Sequence, residues 1–418
     1  MNDSRPSILV LAPFPPWPLR SGGSACIYPR LVALAERYRV HLVCTAPAAE
    51  EEAAAIRGQL EKHCASVTFF PMFCRKVRWH TREGLLRQAL GLFGPDLRGA
   101  MNQVRAARRA AEEVAAREPI ELIQCEASML YEVVWTSPRL RRLPCVAVEL
   151  NIEHEYAWES AQAKGGALNL ALNWMAAQHL RRYCRAAYQR IGEVRFISPR
   201  DFAYWQAQLG TPAQLSVGDV LVKDPGIWRN PRAGAGTGCL ALLGTMAAPQ
   251  VAQGAAWLAR EVVPQIRGGF PGFHLLLSRS LAPLFAQELE QGLRLEFLDE
   301  ASFAAADRQL IACDGLLSPI FKGSGIKMKN VIAFALGLPV VATSKSLEGI
   351  PVVPGEAAWI ADDARGFAAA ALRLLSDGPV REQGCAAARR FYESRYAPRV
   401  AAEGWFDLVE RHRTQRAR

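Results

Sequence analysis

Short apolar runs alternate with helical stretches along this chain, and a single Pro/Gly-rich break divides the alternation into two series. The first series places candidate strands at residues 8–12, 40–44, 67–71, 122–125, 145–149 and 195–198, where it closes. Residues 224–238 (DPGIWRNPRAGAGTG) carry no apolar periodicity and read as a linker. The alternation then restarts at 240–243 and continues through 274–277, 293–297, 315–318 and 339–343. Residues 251–268 read as one amphipathic helix, with Leu258, Val262 and Ile266 on one face. Strands separated by helices form βα units and hence parallel sheets. The expectation is α/β: two consecutive domains, each built on a parallel sheet. The boundaries are 1–223, linker 224–238, 239–390, and a helical tail 391–418. A length of 418 residues suits two domains of ~200 each. In open α/β sheets ligands bind beyond the carboxyl ends of the strands, so two such domains place the expected site in a cleft between them.

Composition narrows the class. Half of the residues are hydrophobic and 22% are charged, which excludes a disordered chain. The formal net charge is +10. Ten cysteines contain no CxxC pair, so they read as buried reduced thiols, and no zinc site is expected. The apolar stretch at 331–343 is broken by Gly337 and Pro339 and falls short of the ~18 residues of a membrane span. No secretion signal is evident at the start of the chain, so a cytoplasmic protein is expected. The segment 75–93, CRKVRWH without its first residue and then TREGLLRQALGLF, mixes Arg and Lys with Trp79, Leu85, Leu86 and Phe93. It reads either as a surface helix or as a peripheral contact with an anionic membrane. No nucleic-acid-binding motif accompanies it.

Three segments carry candidate chemistry. Ser21-Gly22-Gly23-Ser24 follows the first strand and opens a helix. It is either an anion-binding turn or an ordinary helix cap. Phe321-Lys322-Gly323-Ser324-Gly325-Ile326-Lys327-Met328-Lys329 places a glycine turn, a helix start and three lysines together. That combination suits a diphosphate whose charge grows as it leaves, although a solvated lysine cluster would read the same way. Asn151, Glu153 and His154, after the fifth strand, are either hydroxyl-binding and acid/base groups or the first turn of a helix.

The segment GSGIKMKNVIAFALGLPVVATSKSLEGI resembles the donor-site segment of retaining GT-B glycosyltransferases. It is most similar to family four, in the branch that builds bacterial exopolysaccharide and envelope glycans. Leu242-Leu243-Gly244-Thr245 resembles the first strand and loop of that family's second domain. Asn151-Ile152-Glu153-His154 and Phe196-Ile197-Ser198 resemble landmarks of its first. The resemblance implies a glycosyltransferase that moves a sugar, with retention, from a UDP- or GDP-type donor to a glycan or lipid-linked saccharide. It also implies the GT-B fold, two Rossmann-like, doubly wound domains facing across a cleft, with the helical tail 391–418 crossing back to the first. Neither a metal nor a resident cofactor is implied. In the implied front-face mechanism the departing phosphate takes the acceptor proton. By position, Lys327 and Lys329 would act on the diphosphate and Glu153 as a further catalytic group. Gly22, Gly23, Gly244, Thr245, Lys322, Gly323, Ser324, Gly325 and Glu348 would line the donor. Asn151 and His154 would face the acceptor. The family's two glutamates, with seven residues between them, correspond here to Ser324 and Ile332. That departure keeps two alternatives: a degenerate binding or scaffold subunit, and a nucleotide-sugar epimerase on the same fold.

Overall fold

The computed structural model describes residues 4–19, 21–47, 49–71, 97–127, 130–164, 167–209, 214–229, 236–299 and 303–414. The segment 75–93 therefore lies outside the described residues. The chain divides into two compact units. One holds residues 1–221 together with 401–418, and the other holds 222–400.

The first unit is built on seven strands: β1 (Ser7–Ala12), β2 (Arg39–Thr45), β3 (Ser66–Phe70), β4 (Ile120–Glu126), β5 (Cys145–Glu149), β6 (Glu193–Phe196) and β7 (Leu215–Val217). Their order is β3-β2-β1-β4-β5-β6-β7, and every pairing is parallel. β1 is buried at all six positions, as a strand covered on both faces must be. The sheet extends one strand past the expected close at 195–198. β7 is three residues long and only half-buried, so it leaves no apolar run to read.

The second unit has six strands: β8 (Cys239–Leu242), β9 (His274–Leu277), β10 (Arg294–Phe297), β11 (Gly315–Ser318), β12 (Val340–Ala342) and β13 (Ala358–Ile360). Their order is β10-β9-β8-β11-β12-β13, again all parallel. β13 was not expected, and it too is a short edge strand. The expected 251–268 helix is interrupted. Pro249–Trp257 and Val263–Gly269 flank a wider-wound stretch, Leu258–Val262. Pro264 has no N–H to give to the preceding turn, which accounts for the local rewinding. Its apolar face, Leu258, Val262 and Ile266, still packs into the core beneath β8 and β9.

The terminal helix, Pro398–Thr414, belongs from Ala401 onward to the first unit, and charged pairs hold it there. His412 Nε2 lies 2.8 Å from Glu193 Oε2, and Arg411 donates to the same carboxylate. Burial alone would raise the Glu193 carboxyl. Bonds from His412 and Ser216, with Arg195 and Arg411 nearby, outweigh that cost and hold it at about 2. Residue 224, expected to begin a linker, is also tied down: Asp224 pairs with Arg389 at 2.7 Å inside the second unit.

The nine described cysteines are all free and buried. Among the described residues no helix is long and apolar enough to cross a membrane, and no group of three or more His, Cys, Asp or Glu gathers as a metal cluster would.

Candidate functional site

Each sheet runs outward in one direction from its first strand, then returns to that strand and runs outward in the other. The point of reversal lies between β1 and β4 in the first unit and between β8 and β11 in the second. The chain ends of the two adjacent strands diverge there, and the crevice so formed is where ligands of open α/β sheets bind.

In the second unit the crevice is built from Leu243-Gly244-Thr245 after β8 and from residues 319–327 after β11. Gly323 and Gly325 have φ of +110° and +71°, which only glycine adopts without strain. The turn leads into the helix Met328–Ala335, whose start has no side-chain cap. Uncapped N–H groups at a helix start favour an anion. The helix ends in a Schellman arrangement. Gly337 (φ +68°) donates to Phe334 O, and Leu338 donates to Ala333 O.

The two lysines of this turn do different things. The Lys327 ammonium donates to the carbonyl oxygens of Gly323, Ser324 and Gly325 at 3.1, 3.0 and 2.8 Å. It braces the turn from inside, with three successive carbonyls drawn toward one cation. Lys329 instead reaches across the crevice to Leu243 O at 3.2 Å, joining the ends of β8 and β11. Burial, and secondarily the charge of Lys327, lowers its pKa to about 7. Among the described residues Lys329 has no carboxylate partner.

A buried polar network sits beneath the turn. Asn330 Nδ2 donates to Ser346 O at 2.7 Å, the Ser346 hydroxyl bonds that of Ser318, and Thr343 Oγ1 donates to Ile320 O. Ser324 is 7% exposed, and its hydroxyl has no hydrogen-bond partner among the described residues. Glu348 Oε2 accepts from Lys345 at 2.7 Å. Lys322 and Thr245 are exposed, and Gly244 has φ of +142° with Val251 pressed against it. Ile332, on the same helix, is half-buried.

Three members of this arrangement escaped sequence reading. Gly254 lies inside a helix, and a Cβ there would fall 1.7 Å from Pro319 O, so it lets the helix press on the end of β11. A glycine within a helical pattern was its available signal. Asn330 was signalled only as a polar residue in an apolar helix. The Leu243 carbonyl has no sequence signature at all.

In the first unit Gly22 and Gly23 lie within the first turn of the helix Gly22–Arg37, not in a loop before it. Ser21 and Ser24 form a capping box: the Ser24 N–H donates to Ser21 Oγ at 3.1 Å and the Ser21 N–H to Ser24 Oγ at 2.9 Å. A Cβ on Gly23 would strike the Phe14 ring at 2.6 Å. At the reversal point Arg30 forms a fully buried bidentate pair with Glu126, which also accepts from Gln124. Trp405 of the terminal helix lies under the Arg30 guanidinium, 4.4 Å from it.

Asn151, Glu153 and His154 lie where β5 gives way to the helix Glu153–Lys164. Glu153 is half-buried. Desolvation raises its carboxyl above the usual range, opposed by a hydrogen bond with Asn151. His154 turns inward: its Nε2 lies 2.9 Å from Tyr204 OH, and its ring packs against Tyr204 and Trp205. Burial lowers its pKa to about 4, so it is neutral at pH 7. Its buried Nδ1 has no hydrogen-bond partner among the described residues.

Residues 239–377, which contain the lysine turn and all of the second sheet, match the family model described as Glycosyl transferases group 1. They form a glycosyl transferases group 1 domain. The chain is a glycosyltransferase by that domain. Its fold is GT-B: it superposes on sucrose-phosphate synthase from Thermosynechococcus elongatus with a TM-score of 0.68, 16% identity, and coverage of 97% of this chain and 99% of that one. It is also similar to Anabaena HepE, solved in complex with UDP and glucose, with a TM-score of 0.63, 15% identity, and coverage of 97% and 100%. By sequence it is 21% identical over 366 residues to an uncharacterized 44.6 kDa protein in the cps region of Klebsiella pneumoniae. That match covers 85% of this glycosyltransferase and 87% of its relative.

Proposed function

We propose that this glycosyltransferase moves a sugar, with retention, from a nucleotide-diphosphate sugar of the UDP or GDP type to a glycan or lipid-linked saccharide, on the cytoplasmic side, in bacterial polysaccharide biosynthesis. The observation that carries the reading is Lys329: a desolvated cation with no carboxylate partner among the described residues, set across the crevice between β8 and β11 beside an uncapped helix start. Such a group is stabilised by a diphosphate and gains most as the leaving group's charge grows. HepE, solved with UDP and glucose, and the cps-region relative support the donor class and the pathway.

In the proposed reaction the acceptor hydroxyl oxygen bonds the anomeric carbon as the carbon–phosphate-oxygen bond breaks. The hydroxyl proton passes to the departing phosphate oxygen, so no protein nucleophile is needed. Lys329 and the N–H groups at the start of Met328–Ala335 hold the diphosphate. Lys327 keeps the turn in shape, and the Ser324 hydroxyl offers a further bond. No resident metal or cofactor is required. Glu153 and Asn151 bind acceptor or transferred-sugar hydroxyls, while His154, neutral and bonded to Tyr204, sets the helix that carries Glu153.

The test is a screen of UDP- and GDP-sugars for transfer to saccharide acceptors, or for slow donor hydrolysis. Turnover that Lys329→Met abolishes supports the reading. Tight nucleotide-diphosphate binding with no turnover of any donor would favour the binding-subunit alternative, which rests on Ser324 and Ile332 occupying positions where the resembled family carries glutamates.

A further inference from the structure

We infer that the outward face of the helix Ala167–Tyr188 docks on an anionic lipid surface, with Trp174 and Met175 entering the interface and Arg182 and Arg185 meeting the headgroup phosphates. The helix is already held to its unit by the opposite face. Ala177, Cys184, Ala187 and Tyr188 are buried, and the last three belong to the core around β4–β6. What remains outside is a continuous stripe at helical spacing: Ala171, Trp174, Met175, His179, Arg182 and Arg185 are all exposed.

The stripe is graded along its length. Its first half is apolar, with Trp174 53% and Met175 37% exposed, and its second half is basic. The 22-residue helix contains Arg181, Arg182 and Arg185 and no Asp or Glu, although the chain has 40 acidic residues. A solvated helix face normally mixes both signs. An apolar aromatic end followed by one-signed charge complements a surface that is oily inside and anionic at its rim. Position agrees. At 1.5 Å per residue the helix is about 33 Å long, against about 13 Å for the four-residue strand β6 that it feeds. It pairs with Glu153–Lys164, which leaves the carboxyl end of β5, so the Trp174 turn stands beyond that edge of the sheet, on the side of Asn151 and Glu153.

The experiment is co-sedimentation of the full chain with phosphatidylcholine vesicles, with and without phosphatidylglycerol. The wild type is expected to pellet with the anionic vesicles and to be released by salt. Arg182→Gln/Arg185→Gln should lower the partition coefficient about 30-fold, and Trp174→Ala/Met175→Ala by at least about tenfold. Both variants should keep the wild-type melting temperature and nucleotide affinity, because the altered side chains are exposed and lie outside the nucleotide-binding unit. That retained affinity separates this outcome from a failure of the transferase reading. The inference is overturned if the wild type ignores anionic vesicles, or if both variants pellet like the wild type. It is equally overturned if Trp174→Ala/Met175→Ala abolishes a dimer seen by light scattering while leaving vesicle binding intact, which would assign the face to a second copy.

Discussion

The two units share the order of their first six strands, the first unit adding a seventh, and each places a cation at its reversal point, yet the cations are in opposite states. In the first unit Arg30 is neutralised. Glu126 takes it bidentately, Gln124 completes the carboxylate, and Trp405 stacks against the guanidinium. In the second, Lys329 is desolvated beside a second lysine and, among the described residues, meets only a backbone carbonyl. The glycine turns differ in the same sense. The helix start after Ser21 is closed by a capping box, whereas the start at Met328 has no cap. A reversal point is thus only a place where a ligand can bind. A paired charge with a capped helix makes it structural, and an unpaired charge with an open helix leaves it for an anion.

The comparison breaks most visibly through stability. Arg30→Met leaves Glu126 buried without its partner and should cost about 3–5 kcal/mol in thermal or denaturant unfolding. Lys329→Met removes a cation whose burial is uncompensated, so the ligand-free protein should melt no lower than the wild type. Equal losses from the two substitutions would erase the distinction. Gly254→Ala drives a methyl into Pro319 O and should cost about 1–3 kcal/mol, together with weaker nucleotide binding, because the end of β11 shifts.

The pH dependence sharpens the same contrast. The Lys329 pKa is lowered to about 7, so the free protein carries this charge below that pH and loses it above. Unfolded, the group titrates near 10.4, and the unfolded state therefore binds more protons between about pH 7 and 10. The Lys329 contribution to ligand-free stability accordingly rises with pH across that window. A diphosphate favours the charged form, so its affinity should fall above pH 7 by up to about tenfold per unit, with proton uptake detectable by calorimetry in buffers of different ionisation enthalpy. A flat profile would place the diphosphate away from Lys329. The smallest effect belongs to the closed turn: Ser21→Ala should cost about 1 kcal/mol of stability and leave nucleotide affinity unchanged.

Most of the fold was legible because parallel strands buried on both faces read as unbroken apolar runs, as β1, β5, β9 and β11 do. β7 and β13 were not, because three-residue edge strands bury too little to leave a pattern. In the site, the glycine turn and its lysines were visible from residue type and spacing alone. Their division of labour was not. Which lysine folds back on Gly323–Gly325 and which crosses to Leu243 depends on backbone carbonyls, and carbonyls are the same in every residue. His154 shows the converse limit: its residue type advertised acid/base chemistry, while its surroundings are Tyr204 and Trp205.

Titration calorimetry of UDP and GDP against the wild type and Lys329→Met decides whether Lys329 is the diphosphate-binding cation of the second unit. If it is, the wild type binds at least one of them measurably and the variant loses roughly a hundredfold in affinity, as expected for a charge-assisted contact of about 3 kcal/mol. Unchanged affinity in a variant that melts like the wild type would contradict that role.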